Sequence, residues 1–127
     1  MAYPANYRYT REHEWIELDG PIGSIGITDY AQNSLGDIVY VDLPKVGDAV
    51  TANAIFGSVE SVKAVSDLFS PVTGTVTAVN EELKSAPYKI NEKPHETWII
   101  KVKLTYPAEL NTLLDAAAYE AFIKEES

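Results

Sequence analysis

Gly57-Ser58-Val59-Glu60-Ser61-Val62-Lys63-Ala64-Val65-Ser66-Asp67 is a pair of extended runs that meet around a single lysine. An extended stretch from Val50 to Val59 leads in, with Gly57 inside it, and Val65 to Phe69 leads out with the alternation of a strand. Two strands that meet within a few residues make a hairpin, so Lys63 is placed at or beside its tip with the ammonium in water. Exposure alone says little about a lysine, since almost every lysine is exposed. A lysine that an outside enzyme must modify needs the same placement, on rigid strands and with small neighbours such as Ser61 and Ala64. On these residues a solvated turn lysine and a modification site both stand.

Working toward the N-terminus, Ile38-Val39-Tyr40-Val41-Asp42-Leu43 reads as a strand stopped by Pro44, and Pro44–Asp48 has the residues of a tight turn. Asp29 with Gln32 three residues later resembles a capping box, giving a short helix from Asp29 to Leu35 closed by Gly36. Trp15–Leu18 and Ile22–Ile27 alternate on either side of Asp19-Gly20-Pro21 and form a second hairpin. Toward the C-terminus, Thr75–Val79 is a strand after the turn Ser70–Gly74. Asn80-Glu81-Glu82 starts a short helix that Pro87 ends, and Thr97–Leu104 is the last strand, closed by Pro107. From Ala108 helix formers take over: Leu110, Leu113 and Leu114 share a stripe, and Asp115 caps a helix over Ala116–Lys124 that packs on the sheet. Frequent short strands cut by Gly, Pro and Asp indicate a mostly β sandwich or barrel with a C-terminal helical segment.

The chain has 127 residues, 46% hydrophobic and 23% charged, which fits one globular domain over 1–127 with neither disorder nor repeat. Such a chain buries roughly two thirds of its unfolded surface and needs no staple. Ten Lys and Arg against nineteen Asp and Glu give a net charge of −9, a field that repels nucleic acid and anionic membranes. With no cysteine there is no disulfide, thiolate nucleophile or cysteine metal site, so redox chemistry has to come from a carried group. Met1–Tyr7 has neither an apolar core nor a basic amphipathic run, and no stretch is long enough to span a bilayer, so a cytoplasmic protein is expected. His13 and His95 lie far apart without ligand spacing and read as structural, with no metal implied. Gly20, Gly23 and Gly26 sit in a hairpin and make no phosphate loop, while Trp15 and Trp98 read as core aromatics. No nucleophile and base appear as a set, so no catalytic residue is expected.

The segment Glu60-Ser61-Val62-Lys63-Ala64, with Ser66-Asp67 and Ser70–Gly74, resembles the lipoylation region of the H proteins of the glycine cleavage system. The resemblance continues through His13-Glu14-Trp15, Gly26–Gln32, Leu35–Pro44 and Trp98–Lys103, nearly the whole chain. It implies a flattened barrel-sandwich hybrid of the lipoyl/biotinyl type with short helices, and a carrier in place of an enzyme. Lipoic acid would be joined by an amide to Lys63 by lipoylating enzymes. A pyridoxal-phosphate glycine decarboxylase would load an aminomethyl group. A folate-dependent aminomethyltransferase would take its methylene, and dihydrolipoyl dehydrogenase would reoxidise the dithiol.

The same resemblance implies a cleft that shelters the loaded arm, with Glu14 and Asp67 as its acidic contacts to a cationic amine. Glu12 stands where the family usually has a small hydroxyl, and Asn91–Trp98 stands where the family usually has a glycine-containing loop one residue longer. Amidation of Lys63 would take the charge from −9 to −10 and favour partners with basic docking surfaces. Two alternatives remain at this point. A biotin carrier usually flanks its lysine with Met, whereas Val62 and Ala64 stand here and the single Met is Met1. The other is an unmodified interaction or lipoyl-relay module on the same fold.

Overall fold

The structure, a computed structural model, describes residues 3–126; Met1, Ala2 and Ser127, at the ends of the segments read above, lie outside them. Its strands are β1 (Tyr7–Tyr9), β2 (Glu14–Asp19), β3 (Ile22–Ile27), β4 (Ile38–Asp42), β5 (Ala49–Val50), β6 (Ile55–Ser61), β7 (Val65–Phe69), β8 (Gly74–Val79) and β9 (Ile100–Leu104). The helices are α1 (Asp29–Leu35), α2 (Lys89–Glu92) and α3 (Ala116–Glu126), with 3₁₀ turns at Glu81–Lys84 and Pro107–Thr112. A six-stranded sheet runs β1-β2-β3-β9-β8-β5 and a three-stranded one runs β4-β6-β7, every pair antiparallel. This is the mostly β flattened sandwich expected, with a C-terminal helix.

Alternation drives the packing. In β6 the inward Phe56, Val59 and Ser61 are buried while Ile55 and Glu60 are exposed, so the small sheet has one dry face and one wet one. The dry face joins Ile25, Ile100 and Val102 of the large sheet in one core. A second cluster is aromatic: Tyr9 and Tyr119 stack at 4.8 Å between centroids and 13° between planes, with Tyr7 and Trp15 beside them. Such ring pairs are worth about 0.5–1.5 kcal/mol beyond their buried area, and here they fasten α3 to β1 and β2.

Several details depart from the sequence reading. The cap of α1 is Thr28, whose side chain accepts from the Ala31 N–H at 3.2 Å; Asp29 lies in the first turn and accepts from Gln32 Nε2. An i,i+3 Asp–Gln pair therefore mimics a capping box one residue late. The run Val50–Val59 breaks between β5 and β6, where Asn53 takes a positive φ of 69°. Strand β1 and helix α2 carry no sequence signal, both being too short for periodicity to register. The helix after Asn80 is a 3₁₀ turn ending at Lys84, before Pro87, and the last strand begins at Ile100 and not Thr97. Pro107 opens a 3₁₀ turn as well as closing the strand, and the leucine stripe divides: Leu110 and Leu113 pack on the main core, Leu114 on the aromatic cluster. Asp115 does cap α3, accepting from the Ala118 N–H at 2.8 Å.

Candidate functional site

Lys63 occupies the third position of a four-residue turn, Ser61–Ala64. Ser61 N–H donates to the Ala64 carbonyl at 2.8 Å, and Ser61 Oγ accepts from the amides of Lys63 and Ala64 at 3.2 and 3.1 Å. A serine that gathers its own turn in this way leaves the backbone little freedom. The Val62 N–H donates to the Asp37 carbonyl at 3.1 Å, which pins the tip to the segment after α1. Lys63 and its neighbours Val62 and Ala64 are exposed, as the hairpin reading required.

Gly36, the stop of α1 at φ 78°, lies against this side chain: a Cβ there would come within 3.3 Å of Lys63 Cε and 4.0 Å of Nζ. The cradle is held from the other side by Asn91 of α2. Its Oδ1 accepts from the Ile38 N–H at 2.9 Å, and its Nδ2 donates to the Gly36 carbonyl at 2.9 Å and to Gln32 Oε1 at 3.0 Å. Asn91 thus braces the end of α1 and the start of β4 at once. Sequence reasoning noted it only as part of an altered loop, for an asparagine carries no local sign of which strand it will bridge.

Glu14 opens β2 with a carboxyl that is only 1% exposed. Thr10 Oγ1 donates to Oε1 at 2.6 Å, and the Phe69 N–H of β7 donates to Oε2 at 3.3 Å. Burial pushes this carboxyl up to about 8; the hydrogen bonds from Thr10 and Phe69 pull the other way, and the Glu12 charge adds to the rise. Asp67 is exposed on β7 opposite Ser58. It lies two residues from Phe69, so its side chain leaves the strand on the same face as that of Phe69. Lys63 stands just before one end of β7 and the Glu14 carboxyl touches the other, with Asp67 between them. The strand's four steps separate its ends by about 13 Å.

Both histidines are hydrogen-bonded within the fold. His95 is buried, its Nε2 accepts from the Asp29 N–H at 3.1 Å, and burial pushes its pKa down. His13 adopts a φ of 72° with Nδ1 2.8 Å from the Tyr119 hydroxyl, which lies 2.7 Å from Thr28 Oγ1. Trp15 is a core aromatic whose Nε1 donates to the carbonyls of Ile27 and Pro94. Trp98 is only half-buried, at the rim of the aromatic cluster, with Lys101 Nζ 4.8 Å from its ring centroid. No group of metal-ligating side chains occurs among the described residues, and none of their helices is long and apolar enough to cross a membrane.

The family model for the glycine cleavage H-protein matches residues 7–126. The chain belongs to the glycine cleavage H-protein family. It is 70% identical over 127 residues to the glycine cleavage system H protein of Acidobacterium capsulatum, covering all of this chain and 98% of that protein. Identity is 64% to that of Koribacter versatilis, with the same coverage. The crystal structure of a glycine cleavage system H protein from Mycobacterium marinum superposes with a TM-score of 0.85 at 34% identity, over 98% of both chains.

H proteins are the lipoyl carriers of the glycine cleavage system and not catalysts in their own right, and this chain is one of them. Its partners are the system's decarboxylase, aminomethyltransferase and dihydrolipoyl dehydrogenase. The turn fits a covalent acyl group: an exposed primary amine on a fixed backbone, beside a glycine whose missing Cβ leaves room along the side chain.

Proposed function

We propose that Lys63 is the residue joined to the lipoyl group, that Glu14 and Asp67 line the path its loaded end follows, and that residues 1–127 act as one carrier domain. One observation carries this reading: Lys63 projects from the turn that leads into β7 and the buried Glu14 carboxyl is bonded at the far end of the same strand, so an acyl-extended lysine side chain lying along β7 runs toward that carboxyl. When bound, the lipoyl group supplies a disulfide that accepts the aminomethyl group and, once reduced, passes electrons on. The protein's part is presentation and shelter.

At the turn, Ser61 and Asp37 hold the backbone while the Lys63 side chain projects, so amide formation costs no rearrangement. At the far end a cationic amine brought beside Glu14 would favour the ionised form of its carboxyl, and the carboxylate so formed would in turn hold that nitrogen protonated. A hydrogen bond between such charged partners is worth about 1.5–3 kcal/mol. Asp67, on the wet side of β7, adds negative potential along the way. Relatives from bacteria support the cytoplasm as the place of action.

Intact mass and peptide mapping of protein from its native source test the attachment. A lipoyl adduct on Lys63, abolished in Lys63→Arg, is the expected result. A biotinyl adduct would select the other carrier class, and an unmodified lysine while the glycine pathway is active would leave an interaction module.

A further inference from the structure

The loop from Thr10 to Glu14 is organised around one hydroxyl. Thr10 Oγ1 accepts from the N–H of Glu12 at 3.2 Å and from the N–H of Glu14 at 3.0 Å. A hydroxyl has two acceptor sites and one proton. Both acceptor sites are filled, so its proton is left to the Glu14 carboxyl, where Oε1 lies 2.6 Å away. The backbone repeats the pairing: Thr10 N–H donates to the Glu14 carbonyl at 2.9 Å and His13 N–H to the Thr10 carbonyl at 3.2 Å. His13, at φ 72°, makes the turn that folds Glu14 back over Thr10. The other carboxyl oxygen reaches the Phe69 N–H, a donor on the side of β7 turned away from β6.

We infer that Thr10 is a positioning residue for the loaded arm: its hydroxyl aims the Glu14 carboxyl at the edge of β7, with both oxygens arranged as acceptors for the incoming amine's charge. The inference rests on the reading of Glu14 given above and goes beyond it by naming what holds the acid in place. Glu12 contributes only its backbone N–H to this arrangement, with its side chain exposed. Of the neighbours facing Glu14, Thr10 and the Phe69 amide favour the ionised form, and burial and the Glu12 charge oppose it. Thr10 is the donor among them that a substitution removes without touching β7.

The test uses the full-length protein and two measurements. The first is the titration midpoint of the Glu14 carboxyl by carbon NMR in the unlipoylated chain. The second is the lifetime of the aminomethyl-loaded form. Thr10→Val, close in shape but without a donor, should raise the midpoint by roughly one unit and shorten the lifetime several-fold. Thr10→Ser, which keeps the hydroxyl, should restore both. On a Glu14→Gln background, Thr10→Val should shorten the lifetime no further. An unmoved midpoint in folded Thr10→Val overturns the positioning role, as does a Thr10→Ser protein that behaves like Thr10→Val. A normal lifetime in Glu14→Gln instead removes Glu14 from the arm's path and leaves Thr10 a local structural residue.

Discussion

Glu14 keeps its proton because water has been taken from it faster than donors have been supplied. Two hydrogen bonds meet its oxygens, yet burial dominates and holds the folded-state value near 8 against about 4.5 in the unfolded chain. Between those values the unfolded chain has released a proton that the folded one still binds, so stability falls as pH rises through that window and levels off above it. Glu14→Gln should flatten the slope, so that Tm depends less on pH by a few degrees across about 5–8. Thermal melts at several pH values check this, and an unchanged slope would assign the pH dependence elsewhere. The exposed turn position of Lys63 was legible in the sequence because two alternating runs flank it, while a role for it came only with the family resemblance. The burial of Glu14 was not. It sits in a polar stretch, and what closes over it is β7, more than fifty residues along the chain.

Asn91 does for the elements what Thr10 does for a side chain: three hydrogen bonds from one amide group join α2, the end of α1 and the start of β4. Asn91→Ala leaves the Ile38 N–H without its acceptor, an interaction typically worth about 1–3 kcal/mol when the group is part-buried. Hydrogen exchange should therefore quicken at Ile38 and at Val62, whose own bond to Asp37 depends on the same junction, while exchange in β9 stays slow. Gly57 offers a sharper break: a Cβ there would collide with the Asp42 carbonyl of β4. Gly57→Ala should destabilise the protein by about 1–3 kcal/mol in a denaturant titration, by forcing β4 and β6 apart. At this scale the strands and the α1 helix could be read because alternation and turn residues are local signals. Strand β1, helix α2 and the division of the leucine stripe could not, since each owes its form to distant contacts, Tyr9 to Tyr119 and Leu110 to the main core among them.

Over the whole molecule, a net charge of −9 becomes −10 on lipoylation, so the modified carrier presents a stronger field to any basic docking surface. Association with the decarboxylase should slow by about tenfold or more between low and high ionic strength, measured by stopped flow, with dissociation changing less. A flat salt dependence would show that steering plays no part. The fastened turn has its own corollary. Ser61 gathers it, Asp37 pins it and Asn91 braces the segment it is pinned to, so the peptide beneath the amine has no give. Any radius of action must then reside in the rotatable bonds beyond Lys63 Cα. With the lipoyl group on Lys63 as proposed, the protein is the fixed post of a tether, and one post with one tether can be seated in a single partner at a time. Handover from enzyme to enzyme is thereby a sequence of departures and arrivals of the entire carrier, timed by how quickly each face lets go.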